Sequence, residues 1–223
     1  THKIPFSSHF PKPTRKLEYV HMDLCGPSKI ESKSGFKQFL LIVDGYSHYV
    51  WTAFLSFKLD TEGEVRRIFA EIENQSKEKI TFLVTDNRTE FKNHSMNNYY
   101  ASKGITHLTT APYTPENNGL SERGNRTTFN KARYLLNHLG MPREFWAEAV
   151  NTAVYLKNLT PCKYINWKTP HKLWSGHLPN LNHLHPFGCE AILLNNRPAG
   201  KFLDRGTAGV FLGYGRGHRI YRV

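Results

Sequence analysis

Ile80-Thr81-Phe82-Leu83-Val84-Thr85-Asp86 decides how this chain is built. It is a short run of apolar and β-branched residues of strand length, and it ends on a carboxylate. Ahead of it, Val65, Ile68, Phe69 and Ile72 recur at i, i+3, i+4 and i+7, the spacing of an amphipathic helix, with Thr61 and Glu64 as start signals. Further upstream, residues 17–24 alternate like a strand. Residues 36–44 and 49–57 are β-rich runs separated by Gly45-Tyr46-Ser47-His48, which reads as a hairpin. A second distinctive carboxylate sits at the end of the first strand, in Val20-His21-Met22-Asp23-Leu24-Cys25-Gly26-Pro27. In open α/β sheets, ligands bind beyond the carboxyl ends of strands.

Downstream, residues 95–103 are weakly helical up to Gly104, and residues 105–110 read as another strand. Residues 111–119 form a loop on turn chemistry, Ala-Pro-Tyr-Thr-Pro-Glu-Asn-Asn-Gly. A helix over 120–139 follows, ended by Gly140. Ala132, Leu135, Leu136 and Leu139 form its buried stripe, and Glu122, Arg126 and Arg133 fall near another face. Pro142 starts the next helix, in which Phe145, Trp146, Ala149, Val150, Ala153 and Val154 repeat with helical period; Trp146 reads as core. Past Pro161, Pro, Asn, His and Gly thicken, and short strands over 190–194 and 210–214 flank Gly206 and Gly209. The organisation expected is an extended, Pro-rich and basic lead-in over 1–16, a core over 17–160, a linker with some helix over 161–188, and part of a small β-domain over 189–223.

The 223 residues suffice for one good-sized domain and a smaller appendage. Hydrophobic residues make up 39%, enough for a true core. Lys and Arg number 30 against 18 Asp and Glu, a formal net charge of +12 that points to a polyanionic partner. No apolar run approaches the length of a membrane span, so no membrane partner is expected. The three cysteines, Cys25, Cys162 and Cys189, are far apart and form no zinc-ligand pair; so sparse a count fits a reducing compartment.

Asp23, Asp86 and Glu122 together suggest a chemistry. Thirty-five residues separate Asp86 from Glu122. Clustered carboxylates repel one another, and divalent ions relieve that repulsion. Mg²⁺ prefers oxygen ligands, and two ions can clamp the attacking and leaving oxygens of a phosphodiester. Other acids read as structural: Asp44 before its glycine, Glu90, and the turn residues Asp60 and Asp204.

The β-β-β-α-β-α-β-α order, with acids after the first and fourth strands and on a later helix, resembles the ribonuclease H-like nucleotidyltransferase architecture. That is an α/β fold with a mixed five-stranded sheet flanked by helices, in which strands one and four can be neighbours. More specifically, the chain resembles the integrase region of copia-type LTR retrotransposon polyproteins. The residues that carry this are 17–27, Val43-Asp44-Gly45-Tyr46-Ser47, Thr85-Asp86-Asn87 with Glu90-Phe91, and Ala111-Pro112-Tyr113-Thr114-Pro115. They continue in Asn118-Gly119-Leu120-Ser121-Glu122-Arg123, Asn125-Arg126-Thr127, Phe145-Trp146-Ala147-Glu148-Ala149, Pro186-Phe187-Gly188-Cys189 and Phe211-Leu212-Gly213-Tyr214.

The resemblance implies a catalytic and metal-binding triad of Asp23, Asp86 and Glu122 with two Mg²⁺ or Mn²⁺ ions. It implies 3′-end processing of element cDNA and its joining to target DNA, a homo-oligomer, and a life divided between a cytoplasmic virus-like particle and the nucleus. Asn117, Asn118 and Gly119 match the loop that holds the element DNA end. Arg126, Lys131 and Arg133 are DNA-contact candidates from helix spacing and charge. A zinc module normally lies upstream; Thr1-His2-Lys3-Ile4-Pro5-Phe6 matches its downstream edge, and no zinc is expected here. Similar chains carry Gly two residues after the second Asp, where this one has Arg88; a left-handed backbone there would strain an arginine. Two alternatives stay open: a ribonuclease H-type hydrolase, and a non-catalytic DNA-binding remnant of an integrase.

Overall fold

A computed structural model describes residues 11–109, 119–194, 206–215 and 220–223, with only the backbone for 119–123. β1 (Tyr19–Cys25), β2 (Gln38–Asp44) and β3 (Val50–Leu55) form an antiparallel meander. Then come α1 (Thr61–Ser76), β4 (Phe82–Thr85), α2 (His94–Lys103) and β5 (Thr106–Thr109). β4 and β5 join parallel to β1, giving a five-stranded mixed sheet in the order β3-β2-β1-β4-β5. α3 (Gly119–His138) and α4 (Trp146–Leu159) follow.

The strands' period of two distributes side chains to both faces. Val20, Met22 and Leu24 of β1, with Leu40 and Ile42 of β2, pack against Val65, Ile68, Phe69 and Ile72 of α1 and against Met96, Tyr99 and Tyr100 of α2. The alternate positions Phe39, Leu41 and Val43 pack against Ala132 and Leu136 of α3 and Ala149, Val150 and Ala153 of α4. All seven residues of β2 are therefore buried. The near-continuous apolar run that marked it in the sequence is what a strand covered on both faces requires.

Asp44 is fully buried and knits the β2–β3 turn. Its Oδ1 accepts from Leu17 N at 2.8 Å, and its Oδ2 accepts from Ser47 N at 2.8 Å and Ser47 Oγ at 2.5 Å. The structural role expected for it holds. Glu90 is likewise held, by Lys58 at 2.9 Å, and Asp60 accepts from Phe57 N at 2.9 Å. Asp204 lies outside the described residues.

Several local expectations need correction. The helix after Pro142 starts with a 3₁₀ turn, Arg143–Phe145, before α4 begins at Trp146. Trp146 itself is only half-buried: its ring packs near Phe39 and Phe54 while Nε1 donates to Ile30 O at 3.0 Å. An indole that must satisfy its N–H is drawn toward the rim of a core. Leu139 is 41% exposed rather than part of the buried stripe, because α3 ends one residue earlier and Gly140 turns the chain at φ +60°.

Beyond α4, α5 (Pro170–Ser175) brings Trp174 against Tyr49 and Trp51, so this stretch packs onto the core. β6 (Glu190–Leu194) pairs with β7 (Gly206–Val210), and β8 (Gly213–Tyr214) pairs with β9 (Tyr221–Arg222). The strand expected over 210–214 is therefore broken in two. Phe211 and Tyr214 are both buried, and Gly213 takes φ +118°, which interrupts the ladder between them. This region is tied to α4: Tyr214 stacks on Tyr155 at 4.1 Å, and Arg222 pairs with the buried Glu148 at 3.2 Å.

Candidate active site

β1 and β4 run parallel with Tyr19, Val20 and His21 opposite Phe82, Leu83 and Val84. Carrying that register two residues further sets Asp86 opposite Asp23. Both point to one face of the sheet. Asp23 alternates with the inward Met22 and Leu24, which pack toward α1, and Asp86 shares its parity with Phe82, whose ring stacks on Tyr19 at 4.7 Å. The face they share is that of α3.

α3 comes close to the sheet there because it carries a glycine. A Cβ on Gly124 would lie 3.2 Å from Leu41 Cδ2 and 3.3 Å from Lys157 Nζ. One residue on, Asn125 Nδ2 donates to Asp23 Oδ2. Asn125 Oδ1 is buried and has no hydrogen-bond partner among the described residues. Glu122 lies on α3 one helical turn before Asn125; its side chain lies outside the described residues, as do Asn117 and Asn118. Gly119 is the first residue of α3 rather than the last of a loop.

The electrostatics are unbalanced. Burial pushes the Asp23 carboxyl up to about 6, and the Asp86 charge adds to the rise; Arg88, the Leu24 backbone and the Asn125 amide pull the other way without cancelling it. A buried carboxyl whose proton affinity is raised further by a neighbouring carboxylate behaves as a site that wants a cation. The available donors are oxygens: the two carboxylates and the orphaned Asn125 amide oxygen. That set suits a hard ion such as Mg²⁺. Burial, followed by the Asp23 charge, also pushes the Cys25 thiol far up, so it is no nucleophile at neutral pH.

Arg88 is not strained. The non-glycine residues with positive φ among those described are Leu17, His48, Lys77, Asn166 and Trp167, and Arg88 is not one of them. Its Nε pairs with Asp86 Oδ2 at 2.8 Å, and Nη1 donates to Leu24 O at 2.6 Å.

The basic candidates on α3 are separated. Arg126 and Arg133 are exposed. Arg133 helps line a cavity of about 410 Å³ with Cys25, Lys37, Phe129 and Trp146. Lys131 is half-buried, and burial lowers its amine. It faces Lys157 on α4, which burial and the Lys131 charge push down to about 8. Asn125 was read only as part of the motif Asn125-Arg126-Thr127, with no role in the site, and Lys157 was not singled out. Asn125 could have been found, since it stands three residues after Glu122 on one helix; nothing local marks Lys157.

Residues 13–115 match the integrase core domain family. The chain carries an integrase core domain. Across all 223 residues it is 33% identical to the retrovirus-related Pol polyprotein from transposon TNT 1-94 of Nicotiana tabacum. It is also 33% identical, over 96% of its length, to the corresponding polyprotein from transposon RE1 of Arabidopsis thaliana. The chain spans only 17% and 14% of those two relatives.

Among solved structures, a chain of the simian T-cell lymphotropic virus intasome matches with TM-score 0.61 and 18% identity, over 95% of this chain and 73% of that one. The HTLV-2 integrase catalytic core domain in complex with magnesium matches with TM-score 0.52 and 21% identity, over 72% of this chain and 98% of that one. At such identities these likenesses speak to the fold, and the integrase core here is ribonuclease H-like.

Proposed function

We propose that this integrase core performs metal-dependent 3′-end processing of a retrotransposon's cDNA and its strand transfer into target DNA. The observation that carries the proposal is the convergence of Asp23 and Asp86 on the sheet face covered by the first turns of α3. Asp23, Asp86 and Glu122 are the proposed ligands of two divalent ions. When bound, such ions activate water or a 3′-hydroxyl and stabilise the leaving oxygen. The protein's own part is to hold the carboxylates on rigid strand ends, to orient Asp23 through Asn125, and to offer basic side chains to the DNA backbone. Arg126 and Arg133 are exposed for that purpose. Asn117, Asn118 and Gly119 are proposed to hold the DNA end, in a homo-oligomer that works on two ends at once. Passage from a cytoplasmic particle to the nucleus would follow from that role.

A second reading, a DNA-binding remnant without strand chemistry, is supported by Arg88 on Asp86 and by the net charge of +12. Resolution of a branched DNA with Mg²⁺ or Mn²⁺, run beside an Asp86→Asn variant, separates the two. Metal-dependent resolution lost in the variant is the expected result; DNA binding with no resolution in either protein favours the remnant.

A further inference from the structure

Arg88 already meets part of the charge demand of the carboxylate pair. Both Asp86 oxygens are committed to this one residue: Oδ2 to its Nε at 2.8 Å, and Oδ1 to its backbone N–H at 3.3 Å. Its Nη1 is anchored on Leu24 O at 2.6 Å, next to Asp23. The guanidinium therefore bridges the carboxyl end of β1 and the loop after β4, across the gap between the two acids. With Asn125 on Asp23 Oδ2, three of the pair's four carboxylate oxygens are engaged by protein donors. The Arg88 side chain is 42% exposed, so it has solvent into which to withdraw. Its backbone would not need to move, since it is not in the left-handed region.

We propose that Arg88 is an internal counter-cation of the Asp23–Asp86 pair that competes with divalent metal for Asp86. Metal entry then requires the guanidinium to leave both Asp86 and Leu24. Metal affinity is set lower than the carboxylates alone would give, and the cost of loading falls on one side chain. An ion pair of this exposure and a charge-assisted hydrogen bond must both be given up, which weakens metal binding on the order of tenfold. This inference rests on the metal-binding reading of Asp23 and Asp86.

The test is Mn²⁺ binding to the full 223-residue chain without DNA, read by electron paramagnetic resonance of the free ion, with circular dichroism to confirm folding. Four proteins and one control suffice: unaltered, Arg88→Ala, Arg88→Lys, and Arg88→Ala with Asp86→Asn, beside Arg143→Ala. Arg143→Ala removes an exposed arginine elsewhere and controls for net charge. Arg88→Ala should bind Mn²⁺ roughly tenfold more tightly than the unaltered chain, and Arg143→Ala should not. Arg88→Lys should fall between, because an ammonium cannot fork across Asp86 and Leu24. The Asp86→Asn combination should lose the site. Equal or weaker binding by Arg88→Ala, with the site still lost in the Asp86→Asn combination, overturns the competition while leaving the carboxylate site standing. No saturable binding by Arg88→Ala overturns both.

Discussion

Asp44 and Asp23 lie on adjacent antiparallel strands and are treated in opposite ways. Asp44 is at 0% exposure, and its carboxylate accepts from Leu17 N, Ser47 N and Ser47 Oγ. Burial raises its pKa, and all the other influences on it lower it. Asp23 is raised by burial and again by a second carboxylate, and its helpers are one amide, one backbone group and a cation borrowed from a surface loop. A buried acid with a full set of donors holds the fold. An acid set against another acid on a face open to a helix terminus is kept for a ligand. Burial raises both carboxyls, and partners distinguish the two where residue type does not.

The sharpest way to break that comparison is to remove each charge and watch different properties. Asp86→Asn should lower branched-DNA resolution by roughly a thousandfold, the scale of losing several kcal/mol of metal-borne stabilisation. Thermal stability without metal should be nearly unchanged, since the repulsion from Asp23 and the ion pair with the half-exposed Arg88 are lost together. A large loss of stability in that variant would make Asp86 structural, like Asp44.

Asp44→Ala should do the reverse. Three donors are left in a dry turn, a cost of about 3 kcal/mol by urea unfolding. Activity per folded molecule should be retained. A stable Asp44→Ala protein with lost activity would erase the distinction.

Asn125→Ala ranks next. Asp23 loses the amide that orients it, so resolution activity should fall about tenfold, as for other outer-shell partners of metal ligands. Asn125→Asp should be worse than Ala at neutral pH, because it adds a third negative charge beside Asp23. An Asp as good as Asn would mean that the amide's donor role is irrelevant.

How much of this could be read from the sequence follows from the range of each interaction. Strand β1 was legible from its alternation, β2 from the apolar run that burial on both faces leaves, β4 from a short apolar run, and α1 from its regular 3.6-residue stripe. That β1 and β4 lie side by side came from the order of elements. The register that sets Asp23 opposite Asp86 did not, since it depends on pairing between residues some sixty positions apart. The structural role of Asp44 was visible in its glycine neighbour. The role of Arg88 was not, because its partner Leu24 O is a backbone atom on another strand and carries no sequence signature. The same holds for Lys157, whose depressed pKa comes from burial against α3. At the C-terminal end, Phe211 and Tyr214 looked like one strand with Gly213, and the positive φ at that glycine divided it.

The smallest effect gives the finest test. Asp23 has a folded pKa of about 6 against 3.8 for the free group. Between those values the folded chain binds more protons than the unfolded one, so the contribution of Asp23 is fully present below pH ~3.8 and is lost as pH rises through about 6. Without divalent metal, the stability of the unaltered chain minus that of Asp23→Asn should therefore fall between pH 4 and 6 and level off above about 7. Because Asp23 is only partly buried, the whole drop should be about 1 kcal/mol. Asp44 contributes with the same sign in both proteins and cancels in the difference. Adding Mg²⁺ should reverse the trend above pH ~6, because only the unaltered chain gains a bound ion there. A difference that rises with pH in the absence of metal would mean that Asp23 is stabilised as an anion by its donors. In that case the contrast with Asp44 would fail at its source, and the demand of this site for a cation would have no electrostatic basis.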